Sequence, residues 1–178
     1  FSEFIGTKYA LALANGTLAL DIALRSIGIK KLDEVIVTPR SYIASASCIS
    51  LLGATPIFVD VDYNSQNITA ETISRAITKK TKAIICVHLA GMPCEMDAIM
   101  KLAKQNNLFV IEDCAQAHGA YYKGKSVGSI GHIATWSFCN DKIMTLGGEG
   151  GMITTNIKKY YDFAASFNNH GKNFKKFF

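Results

Sequence analysis

The sequence predicts an α/β fold with three layers, in which helices cover both faces of a mostly parallel central sheet. Apolar runs rich in β-branched residues recur along the chain, and such runs are typical of strands buried on both faces of a parallel sheet. Segments with helical periodicity separate these runs, which favours right-handed crossovers between parallel strands. The 178 residues are 49% hydrophobic and 19% charged, which is ordinary for a domain with a sizeable core.

Local patterns place the individual elements. A helix is predicted from residues 15–17 to Gly28, because leucine and isoleucine recur there at helical spacing. Residues 73–77 and 96–103 carry similar stripes, and residues 41–52 form another helical segment with small side chains on one side. The predicted strands between these helices are residues 35–37, 57–59, 83–87 and 108–111.

Charge and cysteine content exclude several function classes. The formal charge of +5 is modest and the lysines are scattered, whereas nucleic-acid binding calls for a denser basic stripe. The five cysteines form no CxxC pair, which favours reduced thiols in a cytoplasmic protein and indicates neither a disulfide framework nor a zinc site. No signal peptide or membrane-length apolar run is visible, so we expect no membrane partner.

Ligands of open α/β sheets gather beyond the carboxyl ends of the strands. No GxGxxG follows the first strand, and the GSIG at residues 128–131 is too short, so a nicotinamide site is disfavoured. The residues that follow the apolar runs are candidates for a shared site instead: Thr38 with Tyr42, Asp60, His88, Glu112 with Asp113, and Ser137.

The stretch WSFCNDKIMTLGGEGG at residues 136–151 carries the most informative chemistry. A lysine in a desolvated pocket becomes nucleophilic and can anchor a ligand covalently, although a solvated surface cation is the alternative for Lys142. The helix start at Asn15-Gly16-Thr17 favours an anion, although a plain helix cap is the alternative there.

Six segments together resemble a known family. They are NGTLAL, TPRSYIASA, GATPIFVDVD, TKAIICVHLAG, VIEDCAQAHGA and WSFCNDKIMTLGGEGGMITTN, in family order over nearly the whole chain. The chain resembles the large domain of pyridoxal-phosphate enzymes of the aspartate-aminotransferase type and, more narrowly, the nucleotide-sugar aminotransferases of the DegT/StrS family. The TPRSYIASA segment is similar to members that make 4-amino sugars such as perosamine.

The resemblance implies two catalytic residues. Lys142 would form the covalent bond with pyridoxal 5′-phosphate and then act as the general base in the proton shift. Asp113 would lie against the pyridine nitrogen and keep it protonated, so that the ring withdraws electrons from the substrate. The alternative for Asp113 is a carboxylate that caps the next turn.

Further cofactor contacts follow from the same resemblance. Gln116 would contact the ring hydroxyl and Tyr42 would stack on the ring face. Gly16 and Thr17, through the loop, and Ser137, through its hydroxyl, would hold the phosphate, whose charge suits amide donors at a helix start. No metal site is predicted.

Several other residues lie in segments that resemble the family. We expect structural roles for His88 and His118, and Glu149 is assigned to the glycine-rich turn. His132 stands where many relatives carry aspartate. His170 is similar to a residue of a substrate loop, although the arginine often found just upstream is absent.

The function implied is a pyridoxal-phosphate-dependent aminotransferase. It would transfer an amino group from an amino acid, with glutamate expected, to a nucleotide-linked keto-sugar for amino-sugar and surface-glycan synthesis such as lipopolysaccharide. A sugar dehydratase of the same fold is one alternative, although those relatives replace the lysine with histidine. A non-catalytic fragment is another. We expect residues 1–178 to be the large domain, without the extreme N-terminus and the small C-terminal domain, of a homodimer.

Overall fold

A seven-stranded mixed sheet forms the centre of the computed structural model, which describes residues 1–172. The last part of the predicted domain, residues 173–178, lies outside the described residues. The strand order is β1-β9-β8-β5-β4-β2-β3; β9 is antiparallel to both β1 and β8, and the other pairings are parallel. The strands of this sheet are β1 (Tyr9–Leu13), β2 (Glu34–Val37), β3 (Thr55–Phe58), β4 (Thr81–Val87), β5 (Phe109–Asp113), β8 (Ile133–Ser137) and β9 (Gly151–Thr155).

Six helices and a small hairpin complete the described part of the chain. The hairpin pairs β6 (Tyr121–Tyr122) with β7 (Lys125–Ser126), and a short 3₁₀ turn covers Leu89–Gly91. The helices are α1 (Ser2–Ile5), α2 (Gly16–Ser26), α3 (Ala44–Leu51), α4 (Ala70–Ser74), α5 (Met96–Gln105) and α6 (Lys158–Asn168).

Two apolar cores, one on each face of the sheet, establish the three layers. The first core packs α2, α3 and α6 against one face, and the second packs α1, α4 and α5 against the other. Alternation along β2 shows the division, because Val35 and Val37 enter the first core whereas Ile36 enters the second. The predicted α/β fold, with helices on both faces of a mostly parallel sheet, is confirmed.

Most predicted elements are found where the local patterns place them. Helix α2 begins after Asn15, whose side chain accepts a hydrogen bond from the Leu18 amide at 2.9 Å, and the chain turns away at Gly28, which has a φ of +85°. Helix α5 buries Met96, Ile99 and Ala103, as its stripe predicts.

Two predicted elements differ from the structure. Strand β3 lies at the sheet edge and is not buried on both faces, so that Phe58 is 54% exposed. Pro56 fits this position, because proline donates no hydrogen bond and is confined to edges. The stripe at residues 73–77 predicts a helix that includes residue 77, whereas α4 covers Ala70–Ser74. That helix ends at Ser74, and Ala76 and Ile77 pack against the second core beyond it.

Strand β9, which is antiparallel to its two neighbours, lies in close contact with the start of α2. A Cβ placed on Gly151 would lie 2.1 Å from the backbone oxygen of Asn15, which is far inside van der Waals contact. Glycine is therefore required where β9 passes the helix start. No helix in residues 1–172 has both the length and the apolar character needed to cross a membrane.

We predict that Gly151→Ala lowers the free energy of unfolding by about 1–3 kcal/mol, because the strand and the helix start must move apart. Gly147→Ala is the matched control: a Cβ there enters open space, and the residue lies in the loop that precedes β9. Urea unfolding of both variants measures the difference. Equal stability of the two variants would contradict the contact.

Candidate active site

A cavity of about 570 Å³ opens beyond the carboxyl ends of the central strands. It is formed by the start of α2, the segment that leads into α3, the ends of β5 and β8, and the loop between β8 and β9. All seven residues predicted for the site line this one cavity: Gly16, Thr17, Tyr42, Asp113, Gln116, Ser137 and Lys142. Of the other strand-end candidates, Asp60 and His88 are not part of its lining.

The start of α2 and the end of β8 form one wall of the cavity. Asn15 caps the amides of Leu18 and Ala19 through its side chain and backbone oxygens, and the helix itself supplies no acceptor for the earlier amides of Gly16 and Thr17. A Cβ on Gly16 would lie only 2.7 Å from the Cβ of Ser137. The backbone and the Ser137 hydroxyl can therefore approach an anion together, as a larger side chain would not allow.

Asp113 ends β5 at the floor of the cavity and is almost completely buried. Its Oδ2 accepts a hydrogen bond from the Ser45 hydroxyl at 2.9 Å, and its Oδ1 accepts one from the Ala115 amide at 3.2 Å. Burial raises the pKa of this carboxyl above its ordinary value, although the bonds from Ser45 and Ala115 and the charge of Lys142 oppose the rise. The hydrogen bond from the Ala115 amide caps the turn that follows β5, so Asp113 does form the cap that the sequence analysis gave as its alternative.

Lys142 lies in the loop between β8 and β9, at the mouth of the cavity. Its Nζ donates to both carboxylate oxygens of Asp141 at 2.9 Å, and the lysine side chain is 19% exposed. Backbone hydrogen bonds shape the loop, since the Lys142 amide donates to the Cys139 oxygen at 3.0 Å. Glu149, predicted to belong to the turn, also lines the cavity and accepts a hydrogen bond from the Cys139 thiol at 3.1 Å.

Tyr42 and Gln116 also line the cavity. The Tyr42 side chain is largely exposed, so its ring has open space beside the cavity. The Oε1 of Gln116 accepts the Ala90 amide at 2.8 Å, which orients the glutamine and leaves its amide NH₂ group to donate to a ligand.

Comparison with known proteins assigns the chain to a family. The profile of the DegT/DnrJ/EryC1/StrS aminotransferase family matches residues 1–178. The chain belongs to this family. It is 52% identical over 171 residues to the GDP-perosamine synthase of Escherichia coli O157:H7, a match that covers 96% of this chain and 47% of that protein.

Solved structures of family members share the fold. The aminotransferase from Psychrobacter cryohalolentis is 60% identical with a TM-score of 0.97, over 98% of this chain and 44% of that one. NtdA from Bacillus subtilis, solved with bound cofactor PMP, is 32% identical with a TM-score of 0.90, over 97% of this chain and 39% of that one. The chain thus spans less than half the length of each of these proteins.

Behind the cavity, this family member buries a second carboxylate next to Asp113. Glu112 points toward the second core, where it accepts hydrogen bonds from the His88 Nε2 at 3.0 Å and from three backbone amides of the loop before β8. His88 Nδ1 accepts the Cys94 amide at 3.1 Å, so Nε2 is the ring nitrogen that faces Glu112 as a donor. Burial lowers the pKa of this imidazole, but hydrogen bonds with Cys114, Cys94 and Glu112 outweigh it and raise the pKa above its ordinary value. The structural role predicted for His88 fits this network.

The energetics of Glu112 follow from these partners. Burial opposes ionisation, but the hydrogen bond from His88 and the bonds from the Gly131 and Gly128 amides outweigh it and hold the pKa of Glu112 below its ordinary value. The potential metal ligands His88, Glu112 and Cys114 lie within 4.8 Å of one another. Because the imidazole and the carboxylate already bond to protein groups, the arrangement favours a hydrogen-bond network over a metal centre.

The other three histidines, His118, His132 and His170, are not part of the cavity lining. His118 is buried against Trp136 and Phe138, and neither ring nitrogen has a partner among residues 1–172. His132 accepts the Val110 amide through Nδ1 at 2.9 Å, an acceptor function that an aspartate could also fill. Burial lowers the pKa of both imidazoles. His170 follows α6, with a φ of +55°.

Sequence reasoning missed two side chains of this site. Ser45 lies in the small-residue helix α3, and its hydrogen bond to Asp113 joins residues 68 positions apart, which no local pattern reveals. Asp141 is adjacent to Lys142, so the charge pair could have been suspected from the sequence. The adjacency alone does not establish contact, because successive side chains often point apart.

We predict that Glu112→Gln lowers the free energy of unfolding by about 3 kcal/mol at pH 7, because it replaces one acceptor oxygen of a four-bond buried carboxylate with a donor. Glu71→Gln is the control, since that side chain is 73% exposed and its surface pair with Arg75 contributes little.

The same variant gives a pH test. A carboxyl whose folded pKa lies below its ordinary value of 4.5 stabilises the fold above that pH, and the contribution is lost as the pH falls through the folded pKa. The stability gap between wild type and Glu112→Gln should therefore shrink below pH 4.5. Urea unfolding as a function of pH measures it, and a gap that widens in acid would refute the ionised carboxylate.

Proposed function

We propose that this chain is the cofactor-binding large domain of an aminotransferase that acts on a nucleotide-linked keto-sugar. The observation that carries the proposal is the single cavity that unites a lysine amine, a buried carboxylate and an anion cradle at the carboxyl ends of the strands. Family membership and the 52% identity to a GDP-perosamine synthase support the reaction class and the sugar-nucleotide class.

Membership of this family assigns pyridoxal 5′-phosphate as the cofactor, and the donor set of the cavity fits it. The phosphate would be held by the amides at the start of α2 and by the hydroxyls of Thr17 and Ser137. Because Gly16 has no side chain, the helix start lies close to Ser137, so its amides and the Ser137 hydroxyl can donate to the same anion. Tyr42 would flank the ring and Gln116 would donate to its hydroxyl.

Two side chains would carry the proton chemistry. The bound cofactor supplies an electron-withdrawing ring that acidifies the substrate carbon to which the amino group is attached. Asp113 would hold a proton on the ring nitrogen, and its fixed position follows from the bonds to Ser45 and Ala115. Lys142 would provide the amine that anchors the cofactor and, once released, would move a proton through Nζ.

Substrates and partners are part of the proposal. Glutamate is the proposed amino donor and a nucleotide-linked keto-sugar the acceptor, in a path that supplies amino sugars for surface glycans such as lipopolysaccharide. A homodimer is proposed because the cavity mouth remains open beside exposed apolar groups such as Tyr42, Ile43 and Ile143. The cytoplasmic location stays a prediction from the cysteine content.

We predict that Lys142→Ala abolishes covalent attachment of pyridoxal phosphate and amino transfer while the fold is retained. The lysine lies at the cavity mouth and is not part of either apolar core, so its removal costs little stability. Visible absorbance and mass spectrometry after borohydride reduction measure attachment. Lys8→Ala is the control, and full turnover in Lys142→Ala would overturn the assignment.

We predict that Asp113→Asn leaves the covalent attachment at Lys142 intact but slows amino transfer by about 10²- to 10³-fold, because the amide cannot keep the ring nitrogen charged. Single-turnover kinetics separate the two effects. Unchanged rates would remove Asp113 from its proposed role.

The reaction itself is tested with the natural full-length protein, a nucleotide-linked keto-sugar and glutamate. Formation of 2-oxoglutarate together with an amino sugar is the expected result. A deoxygenated sugar without 2-oxoglutarate would support a dehydratase, and failure to bind pyridoxal phosphate would support a non-catalytic fragment.

A further inference from the structure

Asp141, which has no role in the proposed reaction, forms an ion pair with Lys142, the residue whose amine the reaction needs. Asp141 lines the cavity beside Lys142, and both of its oxygens accept from Nζ at 2.9 Å. The two side chains differ in exposure, since Asp141 is 66% exposed and Lys142 is 19% exposed. The pair thus joins a solvent-facing acid to an amine that is largely withdrawn from solvent.

This pair constrains the chemistry of Nζ. In this pair, Nζ donates two hydrogen bonds to the Asp141 carboxylate as an ammonium group. An ammonium group has no lone pair with which to attack a carbonyl carbon. The hydrogen bond from Lys142 lowers the pKa of Asp141, so this carboxyl stays ionised and remains a partner for a cation at neutral pH. Attachment of an aldehyde to Nζ therefore requires that this pair first separate.

Three backbone hydrogen bonds of the loop do not involve the pair. Its described backbone bonds include Lys142 to Cys139, Asn140 to Gly148 at 3.1 Å, and Leu146 to the Phe138 oxygen at 3.0 Å. The Asp141 carboxylate does not take part in any of these three bonds. A substitution of Asp141 therefore leaves the partners of these three backbone bonds in place, and the variants below separate a role in reactivity from a role in folding.

We propose that Asp141 is a positioning residue that holds Lys142 Nζ as a charged resting amine at the cavity mouth and so limits how fast the amine is captured by the cofactor aldehyde. This inference rests on the proposed function of Lys142 as the cofactor anchor. An exposed ion pair of this kind changes an equilibrium by about two- to five-fold, so Asp141 tunes the rate and does not determine whether attachment occurs.

The first experiment measures the amine itself, without cofactor chemistry. The natural full-length protein, freed of cofactor, is treated with limiting acetic anhydride at pH 7.5, and the acetylation rate of each lysine is followed by mass spectrometry. Asp141→Asn should raise the rate at Lys142 by about two- to five-fold. The rate at Lys158, which forms a similar two-oxygen pair with Asp162 on the surface of α6, should stay unchanged.

A matched variant and a salt series distinguish charge from shape. Asp162→Asn should accelerate Lys158 and leave Lys142 unchanged. Asp141→Glu keeps the charge and should stay within two-fold of wild type at Lys142. Higher ionic strength should accelerate Lys142 in wild type and have less effect in Asp141→Asn, because salt screens the pair.

The second experiment follows borohydride-trapped pyridoxal phosphate at Lys142, where Asp141→Asn should attach faster by the same two- to five-fold. Equal or slower acetylation of Lys142 in Asp141→Asn, or acceleration in Asp141→Glu, would overturn the inference. If Asp141→Asn fails to fold, Asp141→Ser is measured in its place. Faster acetylation without any attachment of pyridoxal phosphate would uphold the pair and refute the proposed function, so the two failures are distinguishable.

Discussion

The alternation of side chains at the end of β5 is the constraint on which the site depends. Successive residues of a strand point to opposite sides, so Glu112 and Asp113 cannot both enter the cavity. Glu112 is fully buried on the side of the second core, where it accepts four hydrogen bonds. Asp113 is thereby directed to the cavity floor, where an unpaired carboxylate would be costly and Ser45 provides a donor.

The same buried carboxylate also links β5 to its neighbour β8. The amides that Glu112 binds belong to residues 128–131, the loop that leads into β8. Gly128 in this loop has a φ of +82°, and a Cβ there would lie 2.2 Å from the Trp136 ring, so the close packing depends on glycine. Because β8 ends at Ser137, the bonds made by Glu112 help to place the hydroxyl that faces the start of α2.

The floor and the mouth of the cavity have different physical characters. The floor is made by strand ends that are buried in the sheet, which suits a carboxyl whose pKa must be controlled by its surroundings. The mouth is made by Tyr42 and the loop of Lys142 and Asp141, whose contacts are polar and more exposed. The buried floor thus holds the Asp113 carboxyl in hydrogen bonds with Ser45 and Ala115, whereas Lys142 lies in a loop at the mouth and is paired with an exposed side chain.

The sequence by itself determined the fold class and, together with its resemblance to a known family, named seven of the residues that share the cavity. Buried strands have a distinctive composition, and the glycine-rich and helix-start segments carry motifs at fixed spacing, so Lys142, Asp113 and Gly16 could be named without coordinates. Their proposed roles in the reaction remain predictions.

Only the tertiary structure decided which neighbours these residues meet. The order of strands in the sheet, which no local pattern predicts, places β3 at the edge. This edge position is why Phe58 is exposed. The contact between Ser45 and Asp113 depends on strand register and crossover geometry. The same factors decide that Glu112 points toward the second core and Asp113 toward the cavity. Local sequence sets periodicity and chemistry, whereas long-range packing sets direction and distance.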